Sequence, residues 1–325
     1  MPMSEITLLV LTAPGDKNIP FLAELRQKAT IVIGASLADF AGAAQDAEII
    51  LNWSGGLAFL RDVFLISPRL RWIHSRSAGL EQVLFPELID SEVILTNAGG
   101  VFSPSLGEFA LAAILYFAKD FRRMIRNQTA GVWEQFDINM ISGQTVGIVG
   151  YGSIGSAVAV RARALDMRVL ALKRRATRGS EKDLLVDEFY GPEQILEMLS
   201  RCDYVVVSLP LTEQTTGLIG TPEFAAMKKN AVIINIGRGP TIDETAMIRA
   251  LSENRIRGAA LDVFDQEPLP QGHPFYSLEN VLLSPHCADH TPDWLDNSMR
   301  FFLTQLDRFK RGDALLNVIE KKSGY

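Results

Sequence analysis

The chain has 325 residues, which is enough for two domains of ordinary size. Hydrophobic residues make up 47% of it and charged residues 22%, as is usual for a globular protein. The net charge of −6 argues against a large basic surface for nucleic acid. No apolar run approaches the roughly 20 residues that a membrane span needs, so we expect neither a nucleic-acid partner nor a membrane.

The sequence also gives expectations about location and metals. The segment from Met1 to Leu11 has neither the basic region nor the small-residue cleavage site of a secretory signal. The two cysteines, Cys202 and Cys287, are too few for a disulfide framework and lack metal-ligand spacing. We therefore expect a cytoplasmic protein that binds no metal.

The first hundred residues alternate short apolar strands with turns and helix-like stretches, which predicts a parallel sheet with crossover helices. The predicted strands are 6–11, 31–33, 49–53, 71–74 and 93–96. One long apolar helix is predicted next, from Ser103 to Phe121, with Pro104 in its first turn.

A glycine-rich turn lies between a predicted strand at 145–149 and a predicted helix at 154–165. In a dinucleotide-binding turn of this kind, Gly150 permits the tight turn, Gly152 lets the backbone approach a pyrophosphate, and Gly155 lets helix and strand pack closely. The helix start, with Ser153 and Ile154, offers free N–H groups to that pyrophosphate. The alternative is a glycine-rich connection without a ligand, but the flanking strand and helix favour the nucleotide.

The next predicted strand, 168–172, ends in a basic segment. NAD sites usually place an acidic residue here for the ribose hydroxyls, whereas this chain has Lys173, Arg174 and Arg175. Guanidinium and ammonium groups suit a 2′-phosphate, so we favour NADP(H) as cofactor, with NAD(H) as the alternative. The alternative is that these residues form a solvated basic loop that binds no ligand.

A second strand series follows and completes the predicted fold. Its strands are 169–172, 204–209, 232–236, 259–263 and 281–283. We predict an α/β protein with two Rossmann- or flavodoxin-like domains, each a doubly wound parallel sheet. Residues 103–285 would form a dinucleotide-binding domain inserted into a substrate domain of residues 1–102 and 286–325. The cleft between the two would hold the active site.

Three segments at the carboxyl ends of predicted strands carry residues suited to chemistry. Arg238, Glu267 and His286 supply a guanidinium, a carboxylate and an imidazole at the edge that faces ligands in such sheets. Arg238 can hold the carboxylate of a 2-keto acid, and His286 can donate a proton to its carbonyl oxygen. Glu267 would orient the His286 ring and favour its charged form. Singly each residue has an ordinary structural explanation; jointly they favour a site.

The chain resembles the D-isomer-specific 2-hydroxyacid dehydrogenases. The segments that carry the resemblance are 146–155, 208–219, 235–243, 258–270 and 284–291. It implies Arg238 as substrate-binding arginine, Glu267 as partner of the histidine, and His286 as acid/base. It places Asp262 near the nicotinamide amide. Further cofactor contacts are implied for residues in the same segments, namely Leu209, Pro210, Thr215, Ile236, Gly237, Arg238, His286 and Ala288.

The resemblance also implies a substrate loop and an assembly state. Ser77, Ala78 and Gly79 match the loop whose backbone N–H groups bind the substrate carboxylate. Members are commonly dimeric and close a cleft on binding, so we expect a homodimer. Arg76, directly before the loop, is open to two interpretations, recognition of a second anionic group or a surface ion pair.

The predicted function is hydride transfer between NAD(P)H and a small 2-keto acid. The basic tip at Lys173 and Arg174 resembles NADP-preferring members that reduce glyoxylate and hydroxypyruvate. One alternative is a nucleotide-sensing binding protein like the corepressors of this fold. Another is an NAD-dependent dehydrogenase of a bulkier 2-hydroxy acid. The fold supports the reaction class rather than the reactant.

Overall fold

The protein is described by a computed structural model that covers residues 6–12, 19–174 and 183–322. In these ranges the chain forms twelve β-strands and eleven α-helices. The strands are β1 Thr7–Leu11, β2 Thr30–Gly34, β3 Ala47–Asn52, β4 Trp72–Ser75, β5 Ile94–Asn97, β6 Thr145–Val149, β7 Arg168–Leu172, β8 Glu188–Tyr190, β9 Tyr204–Val207, β10 Val232–Asn235, β11 Gly258–Leu261 and β12 Val281–Leu283. The helices are α1 Leu22–Lys28, α2 Leu37–Phe40, α3 Leu57–Leu65, α4 Pro86–Ile89, α5 Ser103–Ala118, α6 Phe121–Ala130, α7 Ser153–Ala164, α8 Ile195–Arg201, α9 Thr221–Ala226, α10 Glu244–Ser252 and α11 Trp294–Arg311.

The chain divides into two compact units. The first contains Met1–Phe102 together with Thr291–Tyr325, and the second contains Ser103–His290. The second unit therefore includes residues 286–290, which the sequence analysis assigns to the other domain. As a result, the segment that carries His286 belongs to the same unit as the glycine turn.

The first unit is built on a five-stranded parallel sheet in the order β2-β1-β3-β4-β5. Its central strands are runs of leucine, isoleucine and valine whose side chains are buried on both faces, as parallel strands between helical layers require. One face packs around Phe40, Leu60 and Leu88. The other packs around Trp72 and Phe302, where helix α11 covers the sheet.

The second unit is built on a seven-stranded parallel sheet in the order β12-β11-β10-β9-β6-β7-β8. From β6 the chain moves to one side through β7 and β8, then returns to build the other side from β9 onward. The strand order therefore reverses between β6 and β9, and ligands of such sheets bind at the carboxyl ends of the strands at this point. The predicted α/β fold with two parallel sheets is confirmed.

Two local predictions differ from the structure. The predicted single helix from Ser103 to Phe121 is interrupted, because α5 ends at Ala118 and Asp120 adopts a left-handed backbone with φ 51° before α6 begins. Strand β8 has only three residues and was not predicted.

Among the helices of the described part of the chain, none combines the length and the apolar character needed to cross a membrane.

Candidate active site

The glycine turn connects β6 to α7 with the geometry that its sequence predicts. Gly150 has φ +100°, a conformation that L-residues rarely adopt, and a Cβ there would lie 2.9 Å from the Leu209 side chain. A Cβ on Gly155 would lie 2.5 Å from the Gly150 carbonyl oxygen. Both positions therefore require glycine for packing within the protein.

Gly152 has a different reason to be glycine. A Cβ at Gly152 would meet nothing within 4 Å, so its surroundings in the protein leave space for a ligand. The N–H groups of Ser153, Ile154 and Gly155 donate to no acceptor in the described part of the chain, and the first helical bond runs from Ser156 to the Gly152 carbonyl at 2.9 Å. These N–H groups and the helix dipole together suit a pyrophosphate, so the turn fits a dinucleotide.

The basic tip follows β7 at the same edge of the sheet. The Lys173 backbone N–H donates to the Tyr190 carbonyl at 3.0 Å, and its ammonium nitrogen lies 6.0 Å from the centroid of the Phe189 ring. Lys173 is half-buried and Arg174 is exposed. Arg175, the third predicted phosphate-binding residue, lies outside the described residues.

The loop after β9 packs against the glycine turn. The Ser208 hydroxyl donates to the Gly150 carbonyl at 2.8 Å, and a Cβ on Gly237 would lie 2.8 Å from the Leu209 carbonyl oxygen. The predicted cofactor residues Leu209 and Gly237 therefore lie close together. Thr215 closes the following turn by donating its hydroxyl to the Pro210 carbonyl at 2.7 Å.

Arg238 lies in a tight turn directly after β10, next to the buried Ile236. Its carbonyl accepts hydrogen bonds from the Asn235 amide at 3.0 Å and the Thr241 hydroxyl at 2.6 Å. Its guanidinium Nη1 donates to the Gly237 carbonyl at 2.8 Å. The turn is thus fixed by its own side chains, which holds the arginine at the carboxyl edge of the sheet.

His286 and Glu267 form a direct pair. His286 Nδ1 lies 2.6 Å from Glu267 Oε2, and the other carboxylate oxygen accepts the Phe264 backbone N–H at 3.0 Å. Since a carboxylate only accepts hydrogen bonds, Nδ1 carries the proton of this bond. The second ring nitrogen, Nε2, is then the atom left for proton exchange with a substrate. The His286 side chain is 45% exposed, so a ligand can reach it.

Asp262 holds the turn on which His286 lies. The carboxylate is 2% exposed, and its Oδ1 accepts the Ser284 hydroxyl at 2.5 Å and the Cys287 N–H at 3.0 Å. The Ala288 N–H lies 3.2 Å from the same oxygen. Burial raises the pKa of the Asp262 carboxyl, and these hydrogen bonds oppose that rise. His286 itself has a left-handed backbone with φ 51°, and successive N–H groups after such a residue form an anion-binding nest.

In the first unit, the loop of Ser77, Ala78 and Gly79 follows β4. Its carbonyls are engaged, because Ser77 accepts from the Ala98 N–H at 3.4 Å and Ala78 accepts from the Asn97 amide at 2.6 Å. The three N–H groups of the loop donate to no acceptor within the residues that the structure describes. This arrangement leaves backbone donors for an anion.

Several residues of the site were not identified from the sequence. Ser208, Asn235, Thr241 and Ser284 each fix a carbonyl or a carboxylate beside a predicted site residue. All four lie at or just beyond the end of a strand or in the turn that follows, and this position is the one signal that points to them. Their roles depend on side-chain contacts, which sequence spacing does not encode.

Known proteins with a similar sequence or structure indicate the family of this chain. The family model described as "D-isomer specific 2-hydroxyacid dehydrogenase, NAD binding domain" matches residues 111–288. A glyoxylate reductase from Korarchaeum cryptofilum is 34% identical over 267 residues, which are 80% of this chain and 79% of the relative.

Two solved structures resemble the whole chain. A D-isomer-specific 2-hydroxyacid dehydrogenase from Xanthobacter autotrophicus in complex with NADPH and MES has a TM-score of 0.84 and 26% identity, covering 99% of this chain and 100% of its own. An NADPH-dependent glyoxylate/hydroxypyruvate reductase from Sinorhizobium meliloti in complex with NADP and sulfate has a TM-score of 0.83 and 25% identity, with the same coverage of 99% and 100%.

The chain therefore belongs to the D-isomer-specific 2-hydroxyacid dehydrogenase family. The predicted family and the predicted enzyme class, an NAD(P)-dependent oxidoreductase, are confirmed.

Proposed function

We propose that this protein reduces a small 2-keto acid to the D-2-hydroxy acid with NADPH, using His286 as proton donor. The observation that carries the proposal is the 2.6 Å hydrogen bond between His286 Nδ1 and Glu267 Oε2, in the same compact unit as the glycine turn. Glu267 fixes the orientation of the ring by accepting the hydrogen bond from Nδ1. In the reverse direction the neutral ring accepts the proton of the hydroxyl group.

In the second unit Arg238 would bind the substrate carboxylate, and in the first unit the loop of Ser77, Ala78 and Gly79 carries backbone donors suited to a carboxylate. A guanidinium forms paired hydrogen bonds with a carboxylate, and successive backbone N–H groups also bind such anions. His286 Nε2 would protonate the carbonyl oxygen of the bound keto acid. A nicotinamide cofactor, when bound, would supply the hydride for the carbonyl carbon.

We infer that the second unit, Ser103–His290, is the dinucleotide-binding domain. The N–H groups at the start of α7 would bind the pyrophosphate, and Lys173 with Arg174 would bind the 2′-phosphate. The NADP-bound reductase from Sinorhizobium meliloti, with which the chain shares its fold and 25% of its residues, supports this preference for NADPH over NADH.

Glyoxylate and hydroxypyruvate are the substrates to test first. The Korarchaeum cryptofilum relative is a glyoxylate reductase, and the Sinorhizobium meliloti enzyme is described as reducing both compounds. Asp262 contributes to this reaction as a positioning residue, because its carboxylate accepts a hydrogen bond from the Cys287 N–H in the turn of His286.

A homodimer is part of the proposal. Helix α6 and the segment after it expose large apolar side chains, with Ile125 58%, Trp133 97% and Met140 71% accessible. Large apolar side chains exposed in one stretch of chain are typical of surfaces that a second chain covers. The cytoplasmic location stays a prediction from the sequence.

The test compares His286→Asn with His290→Asn, a control four positions further along the chain. We expect His286→Asn to lower kcat by about 100- to 10,000-fold, the usual worth of general acid catalysis, with the Kd for NADPH unchanged. His290→Asn should retain activity. Equal loss of turnover and of NADPH binding in His286→Asn would make the histidine structural. A wild-type protein that binds NADPH yet reduces no 2-keto acid would favour the nucleotide-sensing alternative.

A further inference from the structure

The ligand-facing edge of the first sheet carries an arginine between two tryptophans. Trp53 follows β3 directly, and Arg76 follows the neighbouring strand β4. Trp294 is the first residue of α11, in the same compact unit. The guanidinium carbon of Arg76 lies 5.0 Å from the ring centroid of Trp53 and 5.3 Å from that of Trp294.

This arrangement restricts the position of the guanidinium. Aromatic rings against a guanidinium attract its charge and cover its faces, whereas its N–H groups point outward in the plane of the group. The Arg76 backbone is also held, because its N–H donates to the Asn52 carbonyl at 3.1 Å and its carbonyl accepts the Ser298 hydroxyl at 3.3 Å. Little conformational entropy therefore remains to be lost when an anion binds.

Trp53 provides an independent observation. It is 1% exposed, and its indole Nε1–H has no hydrogen-bond partner within the described part of the chain. Buried donors in native proteins are almost always paired, so an unpaired one requires an explanation. An acceptor that arrives with a ligand would supply the missing partner of this N–H group.

We propose that Arg76 and Trp53 form a subsite for a second anionic group, so that the preferred substrates are 2-keto acids with a carboxylate or phosphate at the far end of a short side chain. The inference rests on the proposed function, in which the N–H groups of Ser77, Ala78 and Gly79 bind the first carboxylate. Arg76 precedes that loop directly in the chain, so the donors for the two anions belong to one short segment after β4.

The experiment compares substrates of similar length with and without the second charge. Oxaloacetate and 2-oxoglutarate carry a second carboxylate, 3-phosphohydroxypyruvate carries a phosphate, and 2-oxobutyrate and 2-oxopentanoate carry neither. For the wild-type protein with NADPH, we expect kcat/KM for the better class of substrate with two anionic groups to exceed that of the matching monoanion by about 10- to 100-fold. This factor is the usual contribution of a charge-assisted pair. Whichever dianion class is preferred identifies the second group.

Two variants and one control connect this preference to the site. Arg76→Gln removes the charge but keeps a planar group that can lie between the rings, so the preference should fall to about unity while 2-oxobutyrate reduction stays within about threefold. Trp53→Phe keeps most of the packing and removes the N–H donor, so the preference should fall several-fold. Arg71→Gln is the matched control, because Arg71 precedes β4 at its other end, stacks on Phe309 at 4.7 Å and pairs with Glu48. It should keep the wild-type preference.

Three results would overturn the subsite. The first is a wild-type protein that reduces 2-oxobutyrate as efficiently as the dianions, which leaves the reductase function intact. The second is an Arg76→Gln protein in which all substrates lose activity in proportion, which makes the arginine a packing residue. The third is a pair of results, in which Arg76→Gln fails to fold and Trp53→Phe keeps the wild-type preference. Absence of turnover with every 2-keto acid would instead contradict the proposed function.

Discussion

Replacement of Asp262 by asparagine tests how the histidine turn is held. Asparagine has nearly the same size, but it removes the charge and turns one acceptor atom into a donor. Oδ1 of Asp262 receives the Ser284 hydroxyl at 2.5 Å, the Cys287 N–H at 3.0 Å and the Ala288 N–H at 3.2 Å. These are hydrogen bonds to a buried charged group, each worth about 1.5 to 3 kcal/mol.

The expected magnitude follows from these contacts. An amide oxygen keeps part of the three interactions, so we expect the turn to lose about 2 to 4 kcal/mol, the equivalent of one or two such bonds. His286 would leave its left-handed conformation, and a displacement of about 1 Å at a reacting group costs about 100-fold in rate. We therefore expect kcat to fall about 100-fold, while KM for the keto acid changes little.

The assay measures kcat and KM with NADPH and glyoxylate, NADPH binding by fluorescence, and unfolding in urea. Asp265→Asn is the control, because this exposed aspartate lies in the same loop without contacting the turn. It should stay close to wild type. If Asp262→Asn retained kcat within about threefold despite the loss of these bonds, the carboxylate would not position His286.

Three other predictions have definite expected outcomes. Replacing Lys173 and Arg174 together by glutamine should weaken NADPH by about 10- to 100-fold and leave NADH nearly unchanged; equal weakening in titrations of both would exclude 2′-phosphate recognition. Gly152→Ala should weaken NADPH binding without lowering Tm, because the added Cβ would meet nothing within 4 Å in the protein. Gly239→Ala should lower Tm, because the added Cβ would lie 2.0 Å from the Phe264 backbone. Burial lowers the pKa of His74 to about 3, so at pH 5 the unfolded chain binds a proton at this residue that the folded chain does not. Urea unfolding should therefore show a free energy of unfolding about 2 kcal/mol lower at pH 5 than above pH 7. His74→Phe should remove that difference, and an unchanged difference would assign the acid sensitivity to other groups.

The sequence predicted those parts of the fold that depend on buried, regularly spaced apolar residues. Strands such as β6 and β10 are apolar runs buried on both faces, which a parallel sheet requires, and residues after them must lie at one edge. This is why Glu267 and His286 could be placed near each other before their 2.6 Å contact was seen.

Features that depend on single backbone conformations were not predictable in the same way. The interruption between α5 and α6 arises from the left-handed conformation of Asp120, a residue type that tolerates it but does not require it. The turn-holding role of Asp262 depends on the left-handed φ of His286, which directs the following N–H groups to one carboxylate. Spacing along the chain contains no record of either conformation.

The measurement that tests the central claim most directly is cofactor oxidation by the purified wild-type protein. NADPH and NADH are followed in parallel by their absorbance, each with glyoxylate and with hydroxypyruvate. We expect turnover with both keto acids and a kcat/KM that is higher with NADPH by about 10-fold or more. Tight binding of NADPH without turnover of either keto acid would contradict the proposal that this chain is a glyoxylate- or hydroxypyruvate-type reductase.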